Sequence, residues 1–283
     1  MITVRQLAFS YDQRKDFIKG ISFDVHEGEI FGFLGPSGAG KSTLQKILSG
    51  ILRNYSGRVR VLDTEVKNRK DSFYENIGVD FEFPNLYGKF TALENLLFFS
   101  SLYNKKSQDP MPYLERVGLS SDADKKVSSY SKGMKMRLAF VRSILHNPSL
   151  LFLDEPTSGL DPAYNRILKD MILEQKREGK TIILTTHNMH DAEELCDRVA
   201  FIVDGEIKAL DRPHALRSRK SGVEVSYTYV EEGQEKTGAA LLNSLYQDPV
   251  FMNNLQAGTL TGVHSKEPTL DDVFIELTGR CLK

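Results

Sequence analysis

Short apolar runs and alternating apolar and polar positions dominate the first third of the chain, as is typical of β-strands. We expect strands there at Ile2–Phe9, Ile21–Val25, Ile30–Leu34 and Arg58–Leu62. In a further stretch, residues 77–83, apolar Ile77, Val79, Phe81 and Phe83 alternate with Gly78, Asp80 and Glu82. This period of two predicts a strand with both phenylalanines on the face opposite Glu82. It would end at Pro84, because proline cannot donate to a ladder.

The middle of the chain has the signals of helices. Thr91 can cap a helix while Glu94 reaches back to the cap, and apolar residues follow as far as Tyr103. Further along, strands and helices alternate, and we expect them at Leu150–Leu153, Ala163–Glu178, Thr181–Thr185 and Asp191–Cys196. Short apolar strands between helices predict a parallel sheet that is covered on both faces. Asp204-Gly205 then predicts a hairpin between two apolar strands.

The composition of the chain shifts after Leu216. The basic, polar segment Arg217–Lys220 predicts a linker. Beyond it we expect a strand at Val223–Val230, a helix at Gly238–Asn254, and a short strand and helix towards the end. The sequence therefore predicts a first domain of residues 1–216 and a small α+β domain of residues 217–283.

Composition narrows the class of protein. The 283 residues are 40% hydrophobic and carry a net charge of -1, so a sizeable core is expected and no overall charge favours nucleic acid. Cys196 and Cys281 are far apart, which indicates two free thiols in a reducing compartment. The N-terminus lacks a signal peptide, and no apolar run approaches the ~18 residues that a membrane span needs. We expect a cytosolic protein that reaches a membrane only through a partner.

One glycine-rich loop carries candidate chemistry. The pattern G-x-x-x-x-G-K-[ST] runs from Gly35 to Ser42, between an apolar strand and a helix. Glycines let backbone N–H groups converge on phosphate oxygens, Lys41 can reach the β- and γ-phosphates, and Ser42 can bind Mg²⁺. The alternative is a flexible connector, but the flanking strand and helix favour a nucleoside triphosphate site. Its expected binding residues are Gly35, Pro36, Ser37, Gly38, Ala39, Gly40, Lys41, Ser42 and Thr43.

Two carboxylates follow a second buried strand. Asp154 stands at the end of the apolar run that begins at residue 150, and Glu155 comes next. Asp154 is placed to hold Mg²⁺ through water, and Glu155 to orient or deprotonate an attacking water molecule. Acidic residues often begin loops, so the pair alone is weak evidence. Together with the phosphate loop, it indicates hydrolysis of the nucleoside triphosphate.

The motifs are similar in order and spacing to those of ATP-binding cassette (ABC) ATPases. Residues 130–134, Tyr-Ser-Lys-Gly-Met, resemble the signature sequence of that family, and residues 154–161 resemble its Walker B motif and D-loop. Thr185-Thr186-His187 resembles its switch histidine, and the resemblance covers residues 1–215. It implies an α/β P-loop NTPase fold: an ABC cassette with a mixed, mainly parallel sheet, an antiparallel β subdomain and a helical subdomain at about residues 88–147.

The end of the chain resembles a subfamily. The segment Glu267–Gly279 is similar to the end of ATP-binding subunits of bacterial drug, sodium and polysaccharide exporters. For residues 217–283, a regulatory or dimer-stabilising role and a packing extension that only stiffens the cassette are both open.

The resemblance implies a catalytic set and a dimer. Lys41, Glu155 and His187 would be catalytic, with His187 bonded to the γ-phosphate. Two cassettes would pair head to tail, most simply as a homodimer. Ser131 and Gly133 would then contact the ATP of the opposite chain, although Lys132 and Met134 replace the usual glycine and glutamine.

Structural alternatives exist for several of these residues. Ser131 and Asp161 can be helix caps, although the family places Asp161 at the dimer interface and the two roles are compatible. A histidine after a strand, such as His187, is often a surface or capping residue. Tyr11 stands where the family has an aromatic that stacks on adenine, but half-buried tyrosines are common.

Glu82 occupies the position at which the family has a glutamine that contacts Mg²⁺. A carboxylate is also a suitable ligand, so the expected metal-binding residues are Ser42, Glu82 and Asp154. The added charge predicts that ATP binding depends on Mg²⁺ more strongly than it would with glutamine. The alternative is a solvated carboxylate without this role.

The sequence favours the ATPase subunit of an ABC exporter, with ATP and Mg²⁺ as its cofactors. A separate transmembrane permease would hold it at the cytoplasmic face of the membrane, and no nucleic acid partner is expected. The first alternative is a soluble ABC ATPase that acts on ribosomes or DNA, which usually has two cassettes or a long coiled coil. The second is a nucleotide-binding regulator with little hydrolysis, which Glu155 and His187 disfavour. The transported substrate cannot be inferred from this chain.

Overall fold

The computed structural model describes residues 1–12, 16–219 and 222–279. Within them the chain forms two compact units, Met1–Pro213 and a second unit that starts at His214. The predictions for Cys281 and for Lys220 at the end of the linker lie outside the described residues. Arg217–Arg219, the rest of the predicted linker, are helical instead.

The helices and strands of the first unit are numbered in chain order. The strands are β1 (Ile2–Phe9), β2 (Ile18–Val25), β3 (Ile30–Leu34), β4 (Tyr55–Val61), β5 (Thr64–Glu65), β6 (Ile77–Asp80), β7 (Leu150–Asp154), β8 (Thr181–Thr186), β9 (Arg198–Val203) and β10 (Glu206–Asp211). The α-helices are α1 (Lys41–Leu48), α2 (Ala92–Ser100), α3 (Pro110–Arg116), α4 (Lys132–Ile144), α5 (Pro162–Arg177) and α6 (Met189–Leu195).

The central sheet is mostly parallel. Its order is β10-β9-β3-β8-β7-β6, and β10 is the antiparallel member, joined to β9 through Asp204 and Gly205. Both turn residues have positive φ, as a tight hairpin requires. Strands β3, β7 and β8 are buried along their whole length, which explains their continuous apolar sequence. A second sheet, of order β2-β1-β4-β5, is antiparallel. The predicted α/β cassette fold is confirmed.

Helices α2, α3 and α4 lie between β6 and β7 in the chain. Thr91 caps α2 as predicted: its side chain accepts from the Glu94 backbone, and the Glu94 carboxylate accepts from the Thr91 backbone at 2.7 Å. Asp109 and Ser131 cap α3 and α4 more simply: each side chain accepts one backbone hydrogen bond, and no side chain reaches back to the cap. These caps fix where each helix begins, because they satisfy N–H groups that have no partner within the helix.

The strand predicted for residues 77–83 is shorter than the pattern indicated. Strand β6 ends at Asp80, which pairs with Leu153 of β7, and among the described residues β7 is the one strand that β6 pairs with. The chain then leaves the sheet and bends at Glu82 and Phe83. The prediction that two phenylalanines face away from Glu82 was therefore wrong, because alternation holds only within a strand. Phe81, Glu82 and Phe83 line the same crevice.

The second unit is a small α+β module. It contains α7 (Pro213–Arg219) from residue 214 onwards, β11 (Glu224–Glu231), β12 (Gln234–Leu241), α8 (Pro249–Ala257), β13 (Leu260–Lys266) and α9 (Leu270–Thr278). The sheet order is β12-β11-β13. The helix predicted at Gly238–Asn254 was wrong in its first part, because Gly238–Leu241 pairs with β11. Tyr227 of β11 lies against Gly238, at a position where a Cβ atom would clash with its ring.

His146 is a buried, neutral histidine of the first unit. Its ring stacks on Tyr103 with the centroids 3.7 Å apart, and Nε2 donates to the carbonyl oxygen of Ile77 at 2.9 Å. Nδ1 has no hydrogen-bond partner among the described residues. Burial lowers the pKa of His146 to about 4, because a second ring proton would be charged and unpaired.

This histidine makes the fold sensitive to acid. Its folded pKa lies below the ordinary value of 6.5, so its contribution to stability is complete above that value and is lost as the pH falls towards 4. We expect protonation of His146 to lower the free energy of unfolding by about 2 kcal/mol between pH 7 and pH 5. His146→Phe keeps a stacked ring but cannot titrate, so its free energy of unfolding should fall less over this range. Urea unfolding at both pH values measures the difference, and equal losses for the two proteins would contradict the prediction.

Candidate active site

The glycine-rich loop connects β3 to α1. Gly38 and Gly40 have φ values of 78° and 111°, which side chains with a Cβ atom rarely adopt. A Cβ at Gly40 would lie 2.6 Å from the Ile18 side chain, so glycine also permits close packing. The loop therefore turns tightly and ends at the N-terminus of α1, where the helix dipole favours an anion.

Lys41 begins α1 and folds back over the loop. Its Nζ donates to the carbonyl oxygens of Gly35 at 2.7 Å and Pro36 at 3.1 Å. Burial lowers the pKa of Lys41, and the negative charges of Glu155, Asp154 and Glu82 partly offset that effect. Neutral carbonyl oxygens thus hold the Lys41 ammonium group beside the glycine-rich loop. From there the ammonium group can exchange these hydrogen bonds for hydrogen bonds to phosphate oxygens.

Asp154 ends β7 beside the loop. Its Oδ1 accepts a hydrogen bond from the Thr185 hydroxyl and lies 3.5 Å from the Ser42 hydroxyl. Thr185 belongs to β8 and is fully buried. Because Asp154 and Thr185 are opposite each other in the parallel pairing, the sheet itself holds the carboxylate next to Ser42.

Glu155 and His187 form the central contact of the site. His187 Nδ1 lies 2.7 Å from Glu155 Oε1, and the His187 backbone donates to the same oxygen at 2.9 Å. The Thr186 hydroxyl donates to Oε2 at 3.1 Å. An ionised carboxylate only accepts hydrogen bonds, so the ring proton lies on Nδ1 and Nε2 points elsewhere.

The backbone of Glu155 is strained. Its φ is 51°, in the left-handed region, which costs about 1–3 kcal/mol for a residue with a side chain. Its N–H donates to the Thr185 carbonyl oxygen at 2.9 Å, and its carboxylate is bonded to the next two residues of the chain after Thr185. These bonds hold the strained conformation, which directs the carboxylate into the site.

A cavity of about 230 Å³ brings most of the predicted residues together. It is lined by Phe17, Ser37, Gly38, Gly40, Lys41, Ser42, Thr43, Glu82, Asp154, Glu155, Ser158 and His187. Glu82 is among them because the chain bends after β6. Pro36 contacts the lysine through its carbonyl oxygen, and Gly35 and Ala39 complete the loop.

Besides Gly35, Pro36 and Ala39 of the loop, four predicted residues do not line this cavity. Tyr11 lines an adjoining pocket with Phe17 and Gly38, and its hydroxyl lies 2.8 Å from the Thr43 hydroxyl. Ser131 accepts from the Met134 backbone at 3.2 Å and Asp161 accepts from the Ala163 backbone at 3.1 Å, so both are helix caps in this chain. Gly133 lies in the first turn of α4 beside Ser131. Their predicted contacts with nucleotide therefore stay predictions.

Sequence reasoning did not single out the residues that hold the carboxylates. The motifs include Thr185 and Thr186 only as neighbours of His187, and no motif includes Gln45. Gln45 is fully buried, and its Oε1 lies 3.4 Å from the Thr185 hydroxyl. Two threonines at the end of a buried strand, directly before a candidate histidine, are the signal that could have found them.

The fold and the site define a P-loop nucleoside triphosphatase. A family model described as ABC transporter matches residues 18–158. The chain is 50% identical to a fluoroquinolones export ATP-binding protein of Mycobacterium tuberculosis (strain CDC 1551 / Oshkosh), covering 100% of this chain and 94% of that protein. It is 37% identical to Nod factor export ATP-binding protein I of Rhizobium meliloti (strain 1021), covering 100% of this chain and 89% of that protein.

The solved structures agree with these relatives. The structure of an ATP-binding subunit of an ABC transporter superposes with a TM-score of 0.72 at 28% identity, covering 77% of this chain and 92% of that one. The chain belongs to the ABC transporter family and is an ATPase of that family. The family resemblance inferred from the motifs is confirmed.

Glu155→Gln tests the central contact. The amide keeps the size of the side chain but cannot take a proton from water, so we expect ATP turnover to fall by at least about 100-fold. ATP binding should persist because Lys41 and the glycine-rich loop are unchanged. Phosphate release and nucleotide binding by the purified full-length chain measure the two effects.

The control for this variant is Glu115→Gln, which makes the same chemical change at an exposed position in α3. It should leave both quantities unaltered. If the Glu155→Gln chain turned over ATP at the rate of the parent, the role of Glu155 would be refuted.

Proposed function

We propose that the chain is the ATP-binding and ATP-hydrolysing subunit of an exporter, and that it drives transport through a separate transmembrane subunit. The observation that carries the proposal is the 2.7 Å contact between His187 and Glu155, in the same cavity as Lys41. An acceptor for the water proton thus stands opposite the expected position of the γ-phosphate. The names of the two relatives, both export ATP-binding proteins, support the direction of transport.

The residues of the cavity have distinct proposed roles. Lys41 exchanges its bonds to the Gly35 and Pro36 carbonyl oxygens for phosphate oxygens, and backbone N–H groups of the loop bind the remaining charge. Glu155 accepts the proton of the attacking water molecule. His187 keeps that carboxylate oriented and lies where its ring can meet the γ-phosphate.

The oxygen donors at the edge of the cavity suit Mg²⁺. Among the described residues no group of three or more His, Cys, Asp or Glu could hold a metal ion, so a metal would depend on a mixed set of ligands. We propose the Ser42 hydroxyl and the carboxylates of Asp154 and Glu82, with the phosphates supplying the other ligands. When bound, Mg²⁺ would neutralise charge on the β- and γ-phosphates.

The proposed active unit is a dimer, in the simplest case of two identical chains. The cavity of one chain contains a phosphate loop, a base and a histidine, but not Ser131 or Gly133. In a head-to-tail pair these two residues would complete the site of the opposite chain. The Ser131 hydroxyl already caps α4, so it can contact a phosphate beside the N-terminus of that helix.

A membrane partner is part of the proposal. Among the residues that the structure describes, no helix is both long enough and apolar enough to span a bilayer. A groove of about 630 Å³ in the first unit is lined by aromatic residues that include Phe81, Tyr87, Phe99 and Tyr103. We propose this groove as the docking place of the permease at the cytoplasmic face of the membrane.

The substrate is not set by this chain. The relatives' names include fluoroquinolones and a Nod factor, which differ greatly in chemistry, although both proteins resemble this one over its full length. We propose that the permease selects the substrate. The C-terminal domain of residues 217–283 is proposed as an accessory domain of the cassette.

Export coupling can be tested in cells that produce the chain together with its candidate permease. We expect lower accumulation of a fluoroquinolone, the first compound to test, than in cells with the permease alone. Glu155→Gln should restore accumulation, because dimer closure without hydrolysis cannot reset the transporter. If neither accumulation nor the ATPase rate of the purified pair responds to the partner, the exporter proposal fails.

Glu82→Gln tests the proposed metal site. Removing one negative charge beside the γ-phosphate should make ATP binding less dependent on Mg²⁺, because less repulsion remains to be neutralised. ATP binding measured over a series of Mg²⁺ concentrations gives the comparison. Asp154→Asn should also weaken Mg²⁺ dependence, and it should lower turnover as well, because Asp154 is a proposed metal ligand beside the Ser42 hydroxyl. An unchanged Mg²⁺ dependence in Glu82→Gln would show that Glu82 is merely solvated.

A further inference from the structure

A buried ion pair joins helix α5 to helix α6 in the first unit. Lys169 of α5 and Asp191 of α6 are 2.6 Å apart, with side chains 8% and 4% exposed. The same ammonium lies 2.7 Å from Glu194. Burial alone would lower the pKa of Lys169, but the bonds to the two carboxylates raise it, so the group is charged. Buried lysines are rare, and no role proposed above uses this one.

Asp191 connects the ion pair to the turn that carries Glu155. The Thr157 hydroxyl donates to Asp191 Oδ2 at 2.6 Å, while Lys169 contacts Oδ1. Thr157 is 7% exposed and lies two residues after Glu155. Both oxygens of one buried carboxylate are therefore occupied, one by α5 and the other by the turn after β7.

Asp191 is also tied to the segment that carries His187. Its backbone N–H donates at 3.2 Å to the side chain of Asn188, the cap of α6 and the next residue after His187. The Asn188 backbone in turn donates to the Thr186 hydroxyl at 3.0 Å, and that hydroxyl donates to Glu155. The two segments that meet at the Glu155–His187 contact thus share a second connection through Asp191.

We propose that Lys169, Asp191 and Thr157 are positioning residues that hold Glu155 and His187 in register for hydrolysis. None of the three lines the cavity that contains Lys41, Glu155 and His187. They fix the turn after β7 against the start of α6. The inference rests on the proposed roles of Glu155 and His187. Because Asp161 caps the N-terminus of α5, the same ion pair also links this register to the loop that the family places at the dimer interface.

Thr157→Val is the sharpest test, because valine keeps the shape of the side chain and removes only the hydroxyl. We expect kcat for ATP to fall about tenfold, as for a small displacement of a catalytic group. The dissociation constant for ATP should stay unchanged, since Lys41 and its loop are not involved. Thr157→Ser keeps the hydroxyl and should retain most of the activity.

Lys169→Met removes the charge from the other end of the network and should lower kcat to a similar extent. The matched control is Lys176→Met, in the same helix, whose ammonium lies 2.5 Å from Asp197 after α6 but has no link to Thr157. It should keep the parental kcat. The double variant Thr157→Val/Lys169→Met should lose little more than either single variant, because both act on one connection.

Three readouts separate the possibilities: kcat, ATP affinity and thermal unfolding of the full-length chain. A selective loss of kcat in Thr157→Val and Lys169→Met supports the proposal. It is overturned if these variants lower only the unfolding temperature, or if Lys176→Met loses as much activity. Should Lys169→Met fail to fold, the near-isosteric Thr157→Val still decides. If Glu155→Gln hydrolysed ATP normally, the proposed catalytic roles would fail first, which is a different result.

Discussion

The hydrogen bonds between Glu155 and the end of β8 are the constraint on which the site depends. Asp154 is opposite Thr185 in the parallel pairing of β7 and β8, so the next residue of each strand emerges at the same level. The Glu155 carboxylate then accepts hydrogen bonds from the Thr186 hydroxyl, the His187 backbone and the His187 ring. These bonds offset the cost of its left-handed backbone conformation. A different register would separate Glu155 from His187 and leave the Glu155 carboxylate without these partners.

The same strand register places the phosphate loop. Leu34, the last residue of β3, is opposite Thr186 of β8, so the loop starts level with the residues that hold Glu155. Strand β8 lies between β3 and β7 and therefore sets the spacing between the glycine-rich loop and the acid pair Asp154-Glu155. Ligands of open parallel sheets bind at the carboxyl ends of their strands for this reason. Lys41, Asp154 and His187 meet because three buried strands end together.

Local patterns were sufficient for most of the cassette. The loop from Gly35 to Ser42, the acid pair after β7 and the capping box at Thr91 each depend on residues close in sequence, and the structure contains them as expected. The family and fold predictions are confirmed. The prediction of a strand at residues 81–83 was wrong. Strand β6 lies at the edge of the sheet, and the sequence does not reveal at which residue an edge strand leaves its sheet. The helix prediction at Gly238–Leu241 was wrong because these residues pair with β11. This contact between distant segments outweighs the local preference for a helix.

The residues hardest to find from the sequence share one property: they act on the site through other residues. Lys169 follows Leu168 in an amphipathic helix, where a lysine usually marks the solvated face, yet here it is buried on two carboxylates. A motif identifies groups that touch the nucleotide, because the chemistry of phosphate limits their type and spacing. A group that only has to fill a gap between two helices has no such limit. Its partner, Asp191, satisfies Thr157 as well, and so a charge without a motif of its own reaches the turn that positions Glu155.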